Sequence, residues 1–230
     1  MIKDILCIIP ARKNSKGIKN KNFLKVNGKM LIQYTIDIAK KIEEKTEILI
    51  SSDSEKTEKI CKKNNLKFYG KRPASLSGDK IETIEVIKYE IKKQLEQNKK
   101  FKYLLLLQPT CPVRDIKKIK FALKKIKSKK IDSVVSVCNV NQYHPLRMKK
   151  IIKGKLINFI KQKKENMKPR QKLPKIYIRS GSIYLTKIEK LLKSNSIVSG
   201  NVYPIITKDL ENINIDTTND LNQFKQSFNL

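Results

Sequence analysis

Five consecutive apolar residues, Ile5-Leu6-Cys7-Ile8-Ile9, run into Pro10 and then into a polar loop holding Arg12, Ser15, Lys16, Gly17, Lys21 and Asn22. An unbroken apolar run bounded by a breaker reads as a buried strand, and Pro10 marks its end. Helical periodicity begins near Leu31 and predicts an amphipathic helix over residues 31–41. A strand, a loop rich in cations and backbone N–H groups, and then a helix make a phosphate cradle when they stand at the carboxyl edge of an open α/β sheet. In a lysine-rich chain the same loop also reads as a solvated turn. Neither G-x-x-x-x-G-K-[ST] nor G-x-G-x-x-G occurs, so a Walker-type nucleotide site and a dinucleotide fold are both unsupported.

The alternation continues downstream. A second strand over residues 47–53 and a helix over 55–64 follow, with Asp53 or Ser54 as the expected helix cap. The order strand, helix, strand implies a parallel pair with a right-handed crossover. A loop at 71–79 precedes a helix over 82–97, and the apolar run at 101–107 suits a central strand covered on both faces. That strand delivers Gln108 to the same rim as Arg12, after which Thr110 and Arg114 are expected to shape a turn and cap the helix near Asp115. A further strand covers Ser133-Val134-Val135-Ser136-Val137, and a hairpin turning at Lys153-Gly154 falls within 151–157. Residues 177–184 return to the sheet. At the far end, Asn214 and Asp216 occupy alternate positions, so they share a face if the backbone is extended. Asp216 or Thr217 also reads as the cap of a last amphipathic helix.

Composition narrows the class. At 230 residues the chain suits one domain with a sizeable core, and no apolar run approaches the roughly 20 residues of a membrane span. Its start lacks a cleavable secretory segment, so a cytoplasmic protein with no membrane partner is expected. Cys7, Cys61, Cys111 and Cys138 are scattered and form no C-x-x-C pair, which reads as reduced packing residues. A nucleophilic role for Cys111 finds no partner, since the one histidine, His144, is more than thirty positions away. The net charge of +31 would ordinarily point to nucleic acid, yet the lysines are spread over nearly every helix, as solvated faces are. Arginine is confined to Arg12, Arg72, Arg114, Arg147, Arg170 and Arg179, and a planar fork kept where lysine is otherwise the default suggests recognition of phosphate, carboxylate or a base edge.

The run Ile9-Pro10-Ala11-Arg12-x-Asn14-Ser15-Lys16-Gly17-Ile18-x-x-Lys21-Asn22 resembles the signature of the acylneuraminate cytidylyltransferases, the CMP-sialic acid synthetase family. Lys71-Arg72-Pro73-Ala74, Leu107-Gln108-Pro109-Thr110-Cys111-Pro112-Val113-Arg114, Pro169-Arg170-Gln171-x-x-Pro174, Ser180-Gly181-Ser182-Ile183-Tyr184 and Ile215-Asp216-Thr217 resemble later motifs of that family, in its order and over almost the whole chain. The resemblance implies an α/β three-layer, Rossmann-like nucleotidyltransferase fold, with a mostly parallel central sheet and a small β-hairpin extension at 143–171 lying at a dimer interface. It implies transfer of CMP from CTP to a nine-carbon α-keto acid sugar, with pyrophosphate released. Arg12, Ser15, Lys16, Lys21, Asn22, Arg72 and Thr83 would then bind CTP, and Arg12, Lys21 and Asp216 would be catalytic. Gln108, Arg170 and Ser180 would bind the sugar, and Asp216 with Asn214 would hold Mg²⁺.

Departures accompany the resemblance. Relatives commonly carry Asn-Gly-Ala where this chain has Ser180-Gly181-Ser182, and Asp-x-Asp where it has Asn214-Ile215-Asp216. The implied partners are CTP, a nonulosonic acid and a second copy of the chain, with no nucleic acid. The rival readings are a basic nucleic-acid-binding protein, a cytidylyltransferase for another sugar acid such as 3-deoxy-manno-octulosonate, and a catalytically lapsed relative.

Overall fold

The computed structural model describes residues 3–15, 17–42, 45–162 and 164–228. Strand β1 (Ile5–Pro10) is followed by a minute hairpin of β2 (Lys25–Val26) and β3 (Lys29–Met30), then α1 (Leu31–Lys40), β4 (Thr46–Ser51), α2 (Lys56–Lys63), α3 (Thr83–Glu96), β5 (Tyr103–Leu106), α4 (Ile116–Ile126) and β6 (Ser133–Asn139). The hairpin of β7 (Lys149–Ile152) and β8 (Lys155–Asn158) precedes β9 (Tyr177–Lys187), α5 (Ile188–Ser194), β10 (Val202–Ile206) and α6 (Thr218–Gln226).

Six strands form one sheet in the order β10-β6-β9-β5-β1-β4. β1 lies parallel to both β4 and β5, β6 lies parallel to β10, and β9 runs antiparallel between β5 and β6. The period-two alternation of β1 accounts for the three layers. Cys7 and Ile9 pack on Ile32 and Ile36 of α1, Ile60 of α2 and Leu123 of α4. Leu6 and Ile8 point the other way, into Ile84, Ile87 and Ile91 of α3 and Leu191 of α5. An apolar residue at every position is thus what a strand between two helical layers requires. This is the three-layer, mostly parallel fold expected.

A smaller cluster fastens the end of the chain to its beginning. Leu221 and Phe224 of α6 pack with Val26, Leu31, Ile213 and Ile215, and Phe224 meets the Tyr34 ring edge-on at 5.3 Å. Consequently the segment ahead of α6 is held against the loop that leaves β1. The β7–β8 hairpin turns at Lys153 and Gly154, both with positive φ, as the sequence pattern anticipates. Ile151, Leu156 and Phe159 of this extension are exposed.

Candidate active site

The first loop is pinned by three contacts at the carboxyl ends of β1 and β4. The Ala11 N–H donates to the Ser51 carbonyl at 2.8 Å, the Lys13 N–H donates to Asp53 Oδ1 at 2.6 Å, and Asn22 Nδ2 donates to the Arg12 carbonyl at 3.0 Å. Asp53 therefore does not cap α2, contrary to one of the two expectations. Its carboxylate is taken by a backbone 40 residues earlier, and Ser54 Oγ accepts from the Lys56 N–H instead. Asn22, expected among the CTP-binding residues, is buried beneath the loop and also borders the cavity described next.

Above these strand ends lies a cavity of about 500 Å³ bordered by Arg12, Ser15, Gly17, Lys21, Asn22, Arg72, Thr83, Gln108, Asn214 and Asp216. Its most telling contact spans 195 residues, since Lys21 Nζ donates to Asp216 Oδ1 at 2.7 Å. The lysine side chain is 10% exposed and the aspartate 60% exposed, so the pair presents its charges at the cavity wall. Gly17 permits the close approach, because a Cβ there would overlap the backbone carbonyl oxygen of Asp216. Lys16 lies outside the described residues.

On the opposite wall, Arg12 Nη1 donates to Asp79 Oδ1 at 2.7 Å. Asp79 was not foreseen as a site residue, although a carboxylate beside Gly78 in so basic a chain was a signal worth reading. It occupies a cation that a triphosphate would need. Replacing it should free the fork for an anion: Asp79→Asn is expected to lower the Kd of inorganic pyrophosphate about two- to fivefold, the range set by an exposed ion pair worth up to ~1 kcal/mol. An unchanged or higher Kd would refute the competition.

Arg72 is 6% exposed, its N–H donating to the Ser52 carbonyl at 2.8 Å and its Nε donating to Ser77 Oγ at 3.2 Å. Burial pulls its guanidinium below the ordinary value, against the opposing pull of Asp53 and Glu90. Glu90 sits beneath, accepting from Ser51 Oγ at 2.6 Å, with its carboxyl pushed up by burial.

Two expected sugar residues lie elsewhere. Ser180 does not border the cavity; its Oγ donates into the sheet, to Ser136 Oγ at 2.8 Å. Arg170 borders a second cavity of about 660 Å³ with Asn139, Asn141 and Tyr143, and donates to Asn141 Oδ1 at 3.2 Å. Cys111 is fully buried, and burial raises its thiol, which removes the case for a nucleophile. His144 is likewise structural, its Nδ1 accepting from the Leu146 N–H and its Nε2 donating to the Pro174 carbonyl.

At the far end, Thr217 caps α6 and Asp220 completes a capping box, so Asp216 is left to face the cavity. Ile213 and Ile215 point inward while Asn214 and Asp216 point outward, although the segment joins no ladder. Asn214 Nδ2 donates to Asp216 Oδ2 at 2.6 Å and its Oδ1 accepts from Cys111 Sγ at 3.5 Å. Among the described residues no three His, Cys, Asp or Glu side chains cluster as a metal site. One carboxylate suits a hard ion that keeps its waters and takes phosphate oxygens, as Mg²⁺ does. Asp216 is the carboxylate that could take such an ion, in exchange for Lys21 on its Oδ1 and the Asn214 amide on its Oδ2, and Asn214 could join it once its amide turns its oxygen outward.

A family model described as "Cytidylyltransferase" matches residues 6–196, spanning β1 through α5 and every loop around the cavity except the 214–216 segment. The chain belongs to the cytidylyltransferase family. An N-acylneuraminate cytidylyltransferase of Streptococcus agalactiae is 32% identical over 94% of this chain and 51% of its own length. The chain thus spans about half the length of that relative. A post-translational flagellin modification protein B of Campylobacter coli is 30% identical, with 94% of this chain and 91% of that protein covered. A CMP-N,N'-diacetyllegionaminic acid synthase of Campylobacter jejuni is 28% identical, with 93% and 90% covered. Among solved structures, a CMP:2-keto-3-deoxy-manno-octonic acid synthetase superposes with a TM-score of 0.69 at 13% identity, covering 98% of both chains, a likeness of fold. Within this cytidylyltransferase-family chain, the cavity at the carboxyl edge of β1 and β5 is the candidate active site.

Proposed function

We propose that the chain transfers CMP from CTP to the anomeric hydroxyl of a nine-carbon α-keto acid sugar of the sialic acid type, releasing pyrophosphate. The observation that carries this reading is the Lys21–Asp216 contact, which joins the first loop to the far end of the chain at one cavity with Arg12 and Arg72. In the reaction the sugar oxygen bonds to the α-phosphorus while the bond to the pyrophosphate oxygen breaks. Such transfers leave the protein mainly positioning and charge neutralisation to supply. Arg12 and Lys21, with Lys16 of the same loop, hold the phosphates, and Ser15 adds a hydroxyl. Asn22 lies toward the ribose, with Arg72 and Thr83 on the wall where the base is read. Gln108 orients the acid sugar. Asp216, with Asn214, would hold a Mg²⁺ whose charge offsets that of the triphosphate.

The nonulosonate acceptor is supported by the names of the Streptococcus and Campylobacter relatives. Pyrophosphate release with CTP, Mg²⁺ and a panel of N-acetylneuraminate, legionaminate, pseudaminate and 3-deoxy-manno-octulosonate tests it. Turnover with at least one nonulosonate is expected. Turnover confined to the eight-carbon acid, or none at all, refutes the assignment.

The working unit in this reading is a homodimer in the cytoplasm, with neither nucleic acid nor membrane as a partner. Four free thiols suit a reducing compartment, and no described helix is long and apolar enough to cross a membrane. Ile151 and Leu156, cross-strand partners on the hairpin, are exposed, as are Phe159, Met167 and Ile178 nearby in the chain, and a second copy would cover them. Arg170, outside the cavity of its own chain, would reach a sugar carboxylate in that assembly. Ser180 acts from behind by fixing the strand whose Gly181 backs onto Gln108. An Ile151→Glu, Leu156→Glu double variant is expected to sediment as a monomer at concentrations where the wild type is dimeric, with its circular dichroism preserved. Equal sedimentation of the two proteins would refute the interface.

A further inference from the structure

Arg114 carries a buried charge that the reaction as described does not use. It is 7% exposed, and its guanidinium makes three hydrogen bonds, all to neutral oxygens. Nε donates to the Ser182 carbonyl of β9 at 2.8 Å, Nη1 to Thr35 Oγ1 of α1 at 3.1 Å, and Nη2 to the Gln108 carbonyl at 2.6 Å. Burying a cation without a carboxylate is unfavourable, so its retention calls for a return. In a chain whose remaining basic residues are overwhelmingly lysine, the choice of arginine is also specific. An ammonium is a point donor and cannot span three acceptors set on a helix, a strand and a turn, whereas a planar fork can. The helix-capping role expected for Arg114 belongs instead to Asp115, whose Oδ1 accepts from the Lys117 N–H at 2.8 Å.

The contacts of Arg114 continue toward the cavity. The Gln108 carbonyl that takes Nη2 also accepts the Cys111 N–H at 3.1 Å, closing the turn, and the Thr110 carbonyl accepts the Ile215 N–H at 2.8 Å. Ile215 separates Asn214 from Asp216. We propose that Arg114 is a positioning residue: its fork holds the 108–111 turn against α1 and β9, and through that turn sets Gln108 and the 214–216 segment at the cavity wall. Arg12, Arg72 and Ser15 hang from β1 and β4 and are not on this chain of contacts. Of the groups the brace sets, Gln108 serves the acceptor and Asp216 serves the phosphates through the proposed Mg²⁺, so without the metal its effect falls on the acceptor side while Arg12 and Arg72 stay in place. Burial draws the guanidinium down to about 10, which leaves it charged at neutral pH.

This inference rests on the proposed CMP transfer for its kinetic test and on geometry alone for a second one. Arg114→Lys is expected to lower kcat/KM for the sugar acid at least tenfold while Kd for CTP without Mg²⁺, from calorimetry at full binding stoichiometry, stays within threefold. In a Gln108→Ala background the same substitution should add less than about twofold, because neighbours acting through one contact are not additive. A merely structural role predicts the opposite: CTP stoichiometry and sugar turnover fall together, and the penalty persists in full beside Gln108→Ala. Either result overturns the proposal. Amide exchange reads the brace without turnover, and exchange at Cys111 and Ile215 should quicken at least tenfold in Arg114→Lys with Ala11 unchanged. No change at those two amides also overturns it. Wild-type protein that fails to turn over any nonulosonate sinks the functional reading and leaves the exchange test standing. If Arg114→Lys does not fold, Thr35→Val removes only the acceptor of Nη1. It should then quicken exchange at Cys111 and Ile215 by about twofold or more, and equal exchange overturns the proposal.

Discussion

A Lys21→Ala enzyme is expected to show kcat/KM for CTP about 10²- to 10³-fold below wild type, the loss found when one preorganised charge-stabilising contact is removed. The reason lies in the placement of the ammonium. Its side chain is 10% exposed and its Nζ sits 2.7 Å from Asp216, so its position is set before substrate arrives. A mobile surface lysine would have to be ordered first. Removing Lys21 also takes one positive charge from beside Asp216, where the charge of the triphosphate would gather. Stability should change by less than about 1 kcal/mol, since the aspartate is 60% exposed and such half-open pairs contribute little. Steady-state kinetics and thermal unfolding by circular dichroism separate the two effects. A kcat/KM within threefold of wild type would remove Lys21 from the phosphate site.

Where local periodicity carried the information, the fold was legible. The runs that became α1 and α3 carry a helical apolar period, while those that became β1, β4 and β5 are short apolar runs whose length and flanking polar residues suit a strand. β10 has a weak signature in the sequence, since Pro204 interrupts a short run and a proline there argues against a strand. The sheet order supplies the resolution: β10 is an edge strand, where a missing N–H costs no ladder bond. The antiparallel sense of β9 has no local signature at all, as it depends on which strands are free to receive it. At the site, Thr217 was one of the two expected caps of the last helix, and the structure adds Asp220 as its capping-box partner. Asp53 misled because its partner, the Lys13 N–H, is distant in sequence and a carboxylate before a helix looks like a cap. The meeting of Lys21 with Asp216 was accessible through the family resemblance and through nothing in the spacing of the two residues.

That meeting depends on a residue with no side chain. A Gly17→Ala substitution is expected to reduce kcat/KM for CTP about 10²-fold, the order of loss that follows from misplacing catalytic groups by about 1 Å. A Gly→Ala change at a backbone position that alanine can adopt would ordinarily stabilise by about 0.4–1 kcal/mol through the unfolded chain. Here the new Cβ overlaps the Asp216 carbonyl oxygen, which is backbone and cannot rotate aside. Either the loop lifts or the 214–216 segment retreats, and both open the Lys21–Asp216 contact. Retreat is opposed by Ile213 and Ile215, buried against Phe224 and Leu31, so overpacking should cost about 1–3 kcal/mol. Gly78→Ala is the contrast, because its nearest neighbour would be Ile81 Cγ1 at 3.8 Å and no such stability loss is expected. Because Asp216 is the proposed Mg²⁺ ligand, the Gly17→Ala enzyme should also need more Mg²⁺ for half-maximal rate. A variant with lowered stability but an unchanged Mg²⁺ requirement would show that the first loop and the metal-binding segment do not act on one triphosphate.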